Sequence, residues 1–307
     1  MKRVMCERCG EVISLSLLLG TVLLGLVLSK EGAEYVKEGM RLAVGCVIPT
    51  SFPFMILSDF YVAYGKAENL KTVGRVFDRL FGIPPSCLGA FVCGNVAGFP
   101  LGAKMCADAY ENGMLKKEDA ERLIPLCNNP SCAFIIGGVG VGMYRDIRVG
   151  FLLLISVYAA TGICGMITKR KQSESEVSDY IIKQNYSFVE SVKKSGINSI
   201  SIIAFISLFS VVCGVLKKRI KYAPILYPLF SFLEVTNATK VLSETSVFPM
   251  SLRLSASAFA LGFGGVCVGT QSSYFTSSVG LKMKKYYPVK ILEGILAGCI
   301  FSLLYQL

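Results

Sequence analysis

Residues 195–216 read Ser-Gly-Ile-Asn-Ser-Ile-Ser-Ile-Ile-Ala-Phe-Ile-Ser-Leu-Phe-Ser-Val-Val-Cys-Gly-Val-Leu, without one charged side chain, and are followed at once by Lys217, Lys218 and Arg219. A bilayer core about 30 Å thick takes roughly 20 helical residues, so the segment is long enough to cross it. Charge-free stretches of similar length occupy 12–28, 42–58, 80–103, 123–144, 149–168 and 254–281, and two more, 222–239 and 291–307, carry a single Glu each. Over the whole chain of 307 residues, 53% are hydrophobic and 17% are charged, against about 25% charged in an average soluble domain. Nine such segments exclude a soluble enzyme, a nucleic-acid-binding domain and a secreted disulfide scaffold. The fold class expected is all-α, a polytopic membrane protein.

The net charge of +11 does not change this reading, because the basic residues lie between the apolar segments, as in Lys217 to Lys221 and in Lys282, Lys284 and Lys285. Loops facing anionic headgroups have that distribution. Lys and Arg divide almost evenly between the two sets of loops, so orientation stays open. There is no His and no Trp, which removes imidazole catalysis and His-containing zinc sets. Ten of the twelve cysteines fall in or beside apolar segments, where a thiol behaves as a small hydrophobe. Cys6 and Cys9 form the one Cys-x-x-Cys, half of a tetrahedral zinc site. The basic amino terminus before 12–28 imitates a signal peptide, but Ser29, Lys30, Glu31 and Gly32 follow in place of a small-residue cleavage site, and 12–28 is expected to be an uncleaved first span.

A polar interval at 169–194 divides the chain into a first part, 1–168, and a second, 195–307. At an offset of 167 residues, Gly98, Gly102 and Gly113 fall on Gly265, Gly269 and Gly280. Pro49 of Ile-Pro-Thr-Ser-Phe-Pro-Phe aligns with Pro228 of Tyr-Pro-Leu-Phe-Ser-Phe. With 149–168 left as a linker span, the second part enters from the opposite side, and inverted-topology repeats are expected. Interior prolines at 49, 53, 224 and 228 remove backbone hydrogen bonds, and the Gly-rich stretches 87–104 and 258–272 flank them. Free backbone at membrane depth is tolerated only inside protein or beside a wet cavity, so discontinuous or re-entrant helices are expected there. Close helix packing is the alternative use of the small residues.

Polar groups at membrane depth are costly and mark pathways. Cys127-Asn128-Asn129-Pro130-Ser131 sets two carboxamides before a helix-breaking Pro and frees a helix start at Ser131 that could face an anion; bonding to neighbouring helices is the alternative for Asn128 and Asn129. Glu234-Val235-Thr236-Asn237 follows the prolines at 224 and 228, and Glu234 is the one carboxylate expected in the pocket, a candidate coupling group. Thr270, Gln271 and Ser272 follow the second Gly-rich stretch. Lys104, at the equivalent place in the first part, is expected either to hold a substrate carboxylate or to snorkel to the interface. Asn95, just ahead of the first Gly motif, completes the candidate substrate-binding set.

Gly98-Phe-Pro-Leu-Gly-Ala-Lys104, Cys127-Asn-Asn-Pro-Ser131, Phe232-Leu-Glu-Val-Thr-Asn237 and the run from Gly264-Gly265 to Gln271-Ser272 together resemble the sporulation integral membrane protein YlbJ (SpoVV) family, over about residues 40–305. The resemblance implies the nucleoside-recognition (Gate) superfamily, related to concentrative nucleoside transporters. It also implies a transporter in the outer forespore membrane that moves dipicolinic acid toward the developing spore. No catalytic pairing is visible, so an enzyme is not expected. Nor is a cofactor, with a proton or sodium as the open choice of coupling ion. The expected partners are a small anionic substrate and the lipid bilayer, without nucleic acid and with a homo-oligomer left open. A nucleoside or other metabolite carrier and a non-transporting sporulation assembly factor are the competing functions.

Overall fold

The computed structural model describes residues 20, 29–64, 71–82, 88–113, 115–169, 187–219 and 224–306. Cys6, Cys9 and nearly all of 12–28 lie outside the described residues. Among those described, the elements are helical throughout. They are α1 Ser29–Leu42, α2 Ile48–Tyr64, α3 Lys71–Phe81, α4 Leu88–Ala97, α5 Leu101–Glu111, α6 Lys117–Cys127, α7 Phe134–Met143 (wound as a π-helix) and α8 Ile147–Ile167. The second part holds α9 Phe188–Arg219, a 3-10 stretch Pro224–Phe232, α10 Val235–Glu244, α11 Met250–Phe263, α12 Gly265–Ser277 and α13 Tyr286–Leu304. The start of α9 at Phe188 falls inside the interval 169–194 that the composition marks as a polar connector.

Four helical stretches are long and apolar enough to cross a bilayer: Ile147–Ile167, Phe188–Lys218, Met250–Ser277 and Tyr286–Leu304. Four of the nine charge-poor segments fall in these stretches, and 12–28 lies almost wholly outside the described residues. Segments 80–103, 123–144 and 222–239 are charge-poor for their full length but change direction inside, and counting charges does not register a turn. The segment 42–58 departs in the opposite sense. Its prolines suggest a break, yet α1 runs into α2 through a π-helical turn at Ala43–Val47, where the Ile48 N–H donates to the Ala43 carbonyl. The wider turn lies directly ahead of Pro49, and α2 continues through Pro53.

Each break is set by residues that cannot continue a helix. Gly98 has a φ of 89°, a left-handed value that costs other residues about 1 kcal/mol or more. A Cβ there would stand 2.6 Å from the Ser131 nitrogen. The chain then folds back: a Cβ on Gly94 of α4 would lie 2.7 Å from the Gly102 Cα of α5. Between α6 and α7 the break is Asn128 to Ser131, with Ser131 accepting the Phe134 N–H at 3.1 Å. The 3-10 stretch ends at Leu233, whose carbonyl accepts the Cys267 N–H at 2.9 Å. Between α11 and α12, Gly264 and Gly265 both take positive φ, 80° and 82°.

These breaks meet. Gly98 packs on Ser131, a Cβ on Gly265 would touch the Leu233 carbonyl at 2.9 Å, and the Phe99 ring lies beside Gly264. A small cavity of about 20 Å³ at the junction is lined by Ser51, Gly98, Pro130, Ser131 and Thr236, among others. Around it α8 and α13 run antiparallel, with Thr161 meeting Glu293 and Val157 sharing the core with Ala297. The α6–α7 pair runs antiparallel to α11–α12, with Asn128 meeting Ser272 and Tyr144 meeting Ser257.

The order of the elements offers a second register beside the glycine one. At the 167-residue offset, the α4–α5 fold-back at Gly98 would be matched to the α11–α12 break at Gly265, two elements of different shape. In element order, the fold-back at Gly98–Pro100 corresponds to the break at Leu233–Glu234, Asn129–Pro130 to Gly264–Gly265, and α8 to α13. The two breaks recur at a spacing of about 135 residues.

Candidate functional site

Asn129, in the break after α6, is wholly buried and sits at the centre of a polar network drawn from four places in the chain. Its amide nitrogen donates to Asn95 Oδ1 of α4 at 2.7 Å and lies 3.0 Å from Thr161 Oγ1 of α8. Its carbonyl oxygen accepts from Lys290 Nζ of α13 at 2.6 Å. Lys290 also pairs with Glu293 one turn on, at 3.1 Å, and the Thr161 hydroxyl donates to the other Glu293 oxygen at 2.6 Å. Lys290 and Glu293 are both 0% exposed. The Asn95 amide donates in turn to the carbonyls of Phe91 and Leu126, and the Tyr158 hydroxyl to the Asn95 carbonyl at 2.5 Å. Removing any one member leaves a buried polar group unsatisfied, at about 1–3 kcal/mol and more for the charged ones.

Asn128 faces away from that network. Its amide donates to Ser272 Oγ at 2.7 Å and to Tyr286 Oη at 2.8 Å, tying the α6 break to α12 and α13. The two adjacent carboxamides thus serve two separate sets of partners, and both are buried.

Glu234 is 2% exposed and caps α10. One carboxylate oxygen accepts the Thr236 N–H at 2.9 Å, and the other accepts the Asn237 N–H and side-chain amide, each at 2.7 Å. The amide of Asn237 reaches Ser210 of α9 as well, at 3.2 Å. The carboxylate is therefore spent on the first turn of its own helix, and no contact joins Glu234 to Asn128 or Asn129. Substituting Glu234 by Ala is expected to destabilise the protein by about 0.5–2 kcal/mol, the usual cost of a lost cap. A lower unfolding midpoint in detergent, restored by Glu234→Asp, checks this; no shift at all would remove the capping role.

Lys104 neither snorkels nor stands free. It is 2% exposed, and its ammonium lies 2.6 Å from Asp59 of α2 and 2.6 Å from Asp108 of α5. Ser191 of α9 donates to the second Asp59 oxygen at 2.8 Å. The cation is a staple between three helices beside a cavity of about 270 Å³ that also holds Glu111, Lys194 and Asn198. Of the remaining candidates, Gln271 is buried and donates to Cys267 Sγ. The Ser272 hydroxyl donates to the Val268 carbonyl and the half-buried Thr270 hydroxyl to the Cys267 carbonyl, ordinary bonds of helical hydroxyls to their own turn. No cluster of three or more metal-ligating side chains occurs among the described residues.

Over 319 residues the chain is 26% identical to the sporulation integral membrane protein YlbJ of Bacillus subtilis (strain 168), a match that covers 89% of this chain and 77% of that protein. The chain is similar to YlbJ. No family model matches, and no solved structure does. With that match and four helical stretches long and apolar enough to cross a bilayer, the chain is an integral membrane protein.

Reading the sequence alone misses Lys290 and Glu293. Glu234 is therefore not the only carboxylate at the site, and Glu293 is the one bonded into the Asn129 network. The signal is present: Lys290 stands just ahead of the charge-poor stretch 291–307 and three residues before Glu293, and a Lys and a Glu at that spacing share one helix face and can enter an apolar interior as a neutral pair.

Proposed function

We propose that this chain is a membrane transporter of a small anionic metabolite, with dipicolinate the leading substrate, moved across the outer forespore membrane toward the developing spore. The observation that supports the reading is the meeting of four backbone breaks around buried polar side chains, Asn95, Asn128, Asn129 and Thr236 among them. Secondary transporters build midplane sites from broken helices of this kind. Two helix starts at the junction, α5 at Pro100 and α12 at Gly264, have no side-chain cap, and such ends favour negative charge. In this reading residues 88–167 and 224–304 form inverted repeats of the Gate kind, with the register of about 135 residues.

Purified protein in vesicles is expected to take up labelled dipicolinate, with unlabelled dipicolinate competing and neutral nucleosides not. Preference for nucleosides would turn the reading to a nucleoside carrier, and no uptake of either would favour an assembly factor. The repeats have their own test. In a chain whose native cysteines are replaced by serine, Asn112→Cys at the end of α5 and Ser246→Cys just past the end of α10 are expected to react with an impermeant thiol reagent from opposite sides of the membrane. Labelling from one side would overturn the inverted arrangement.

A further inference from the structure

We propose that Lys290 is the residue that receives the substrate's carboxylate; the inference rests on the transport reading above and names the contact that reading leaves unassigned. Two lysines are buried in the described core, and their surroundings differ. Lys104 holds two carboxylates, each at 2.6 Å. Lys290 holds one, Glu293, at 3.1 Å, longer than the roughly 2.7–2.9 Å of a strong charge-assisted bond. Its closer partner is the neutral carbonyl oxygen of Asn129 at 2.6 Å. An ammonium has three donors, and among the described residues these two acceptors use two of them.

The Lys104 site shows that one ammonium in this fold accommodates two carboxylates at close range. The third donor of Lys290 has no acceptor assigned among the described residues, and Lys290 meets Asn129 at the Asn128–Ser131 break, where a substrate carboxylate would be the acceptor. Glu293 is anchored independently by Thr161 at 2.6 Å, so it can stay in place while a second carboxylate binds. Its charge then repels the newcomer and sets the affinity low enough for release. The site accordingly takes a carboxylate-bearing molecule and discriminates against neutral ones.

The test uses the full-length protein in vesicles and in detergent, with dipicolinate as the probe, and reads uptake and the ligand-induced rise in unfolding midpoint. Glu293→Gln keeps a hydrogen-bonding partner for Thr161 and removes the competing charge; its affinity for dipicolinate is expected to rise several-fold. The charge-free double variant Lys290→Met/Glu293→Gln avoids a stranded ion and is expected to fold but to lose affinity at least about tenfold, the scale of a charged hydrogen bond. Wild-type uptake with an undiminished double variant would overturn the role of Lys290 and leave the transporter standing. Unchanged or weakened binding by Glu293→Gln would overturn it as well, even if the double variant failed to fold. Absence of uptake by the wild type would remove the transport reading and this contact together.

Discussion

Alanine at Gly102 is expected to abolish folded protein. A Cβ on that residue would stand 1.8 Å from the Cys127 carbonyl oxygen and 2.4 Å from its carbon. These are backbone atoms at the end of α6, so no side-chain rotation relieves the clash. Overpacking a core by a methylene costs typically 1–3 kcal/mol when neighbours can shift; here α5 and α6 must separate. Their separation pulls apart the Gly98–Ser131 contact on which the break geometry rests. Gly137→Ala in α7, where nothing lies within 4 Å, is the control and is expected to accumulate normally. The measurement is the fraction of membrane-inserted protein recovered monodisperse in detergent. Recovery of Gly102→Ala at the level of Gly137→Ala would show that the α5–α6 contact is looser than the structure has it.

The membrane class was legible because charge depletion over the length of a bilayer is a property of composition, readable without knowing any contact. The backbone breaks were partly legible for the same local reason. Pro130 and the glycines at 98, 264 and 265 are residues whose own backbone limits or freedoms mark a turn, and all of them lie at breaks. Pro49 and Pro53 carry the same local signal and give a continuous helix, Pro49 following directly on the π-helical turn at Ala43–Val47 and Pro53 lying inside α2. The repeat shows a different limit. Three glycines at one offset pair the α4–α5 fold-back with the α11–α12 break, because matched glycines report only local freedom or close approach. The α4–α5 fold-back and the α11–α12 break both need glycine and do different things with it.

The candidate site divides along the same line. Burial of Asn128, Asn129 and Glu234 followed from the cost of polar groups in hydrocarbon, and all three are buried. Their partners did not follow, since Thr161, Ser272 and Lys290 lie 32, 144 and 161 residues away along the chain. Glu234 illustrates the ambiguity best. A carboxylate in an apolar segment reads as a coupling group, yet a carboxylate just before a helix also reads as a cap, and the three N–H groups of Thr236 and Asn237 that it accepts put it in the second role.

Methionine at Lys104 is expected to lower stability by about 3–5 kcal/mol, the range for removing one member of a buried ion pair. The value should fall toward the lower end, because Asp59 and Asp108 keep 13% and 16% exposure. Without the ammonium, two carboxylates that now share it face one another between α2 and α5, and Ser191 of α9 is left bonding an uncompensated charge. The triple variant Lys104→Met/Asp59→Asn/Asp108→Asn removes all three charges and is expected to recover most of the loss, since replacing a buried ionic group by neutral residues is often close to neutral in stability. Unfolding midpoints in detergent separate the two. The triple variant also decides what Lys104 does for the substrate. A staple between helices can be replaced by neutral packing, so dipicolinate binding is expected to survive in it. A tenfold weaker affinity in a well-folded triple variant would instead return Lys104 to the role of a carboxylate contact and weaken the assignment of that contact to Lys290.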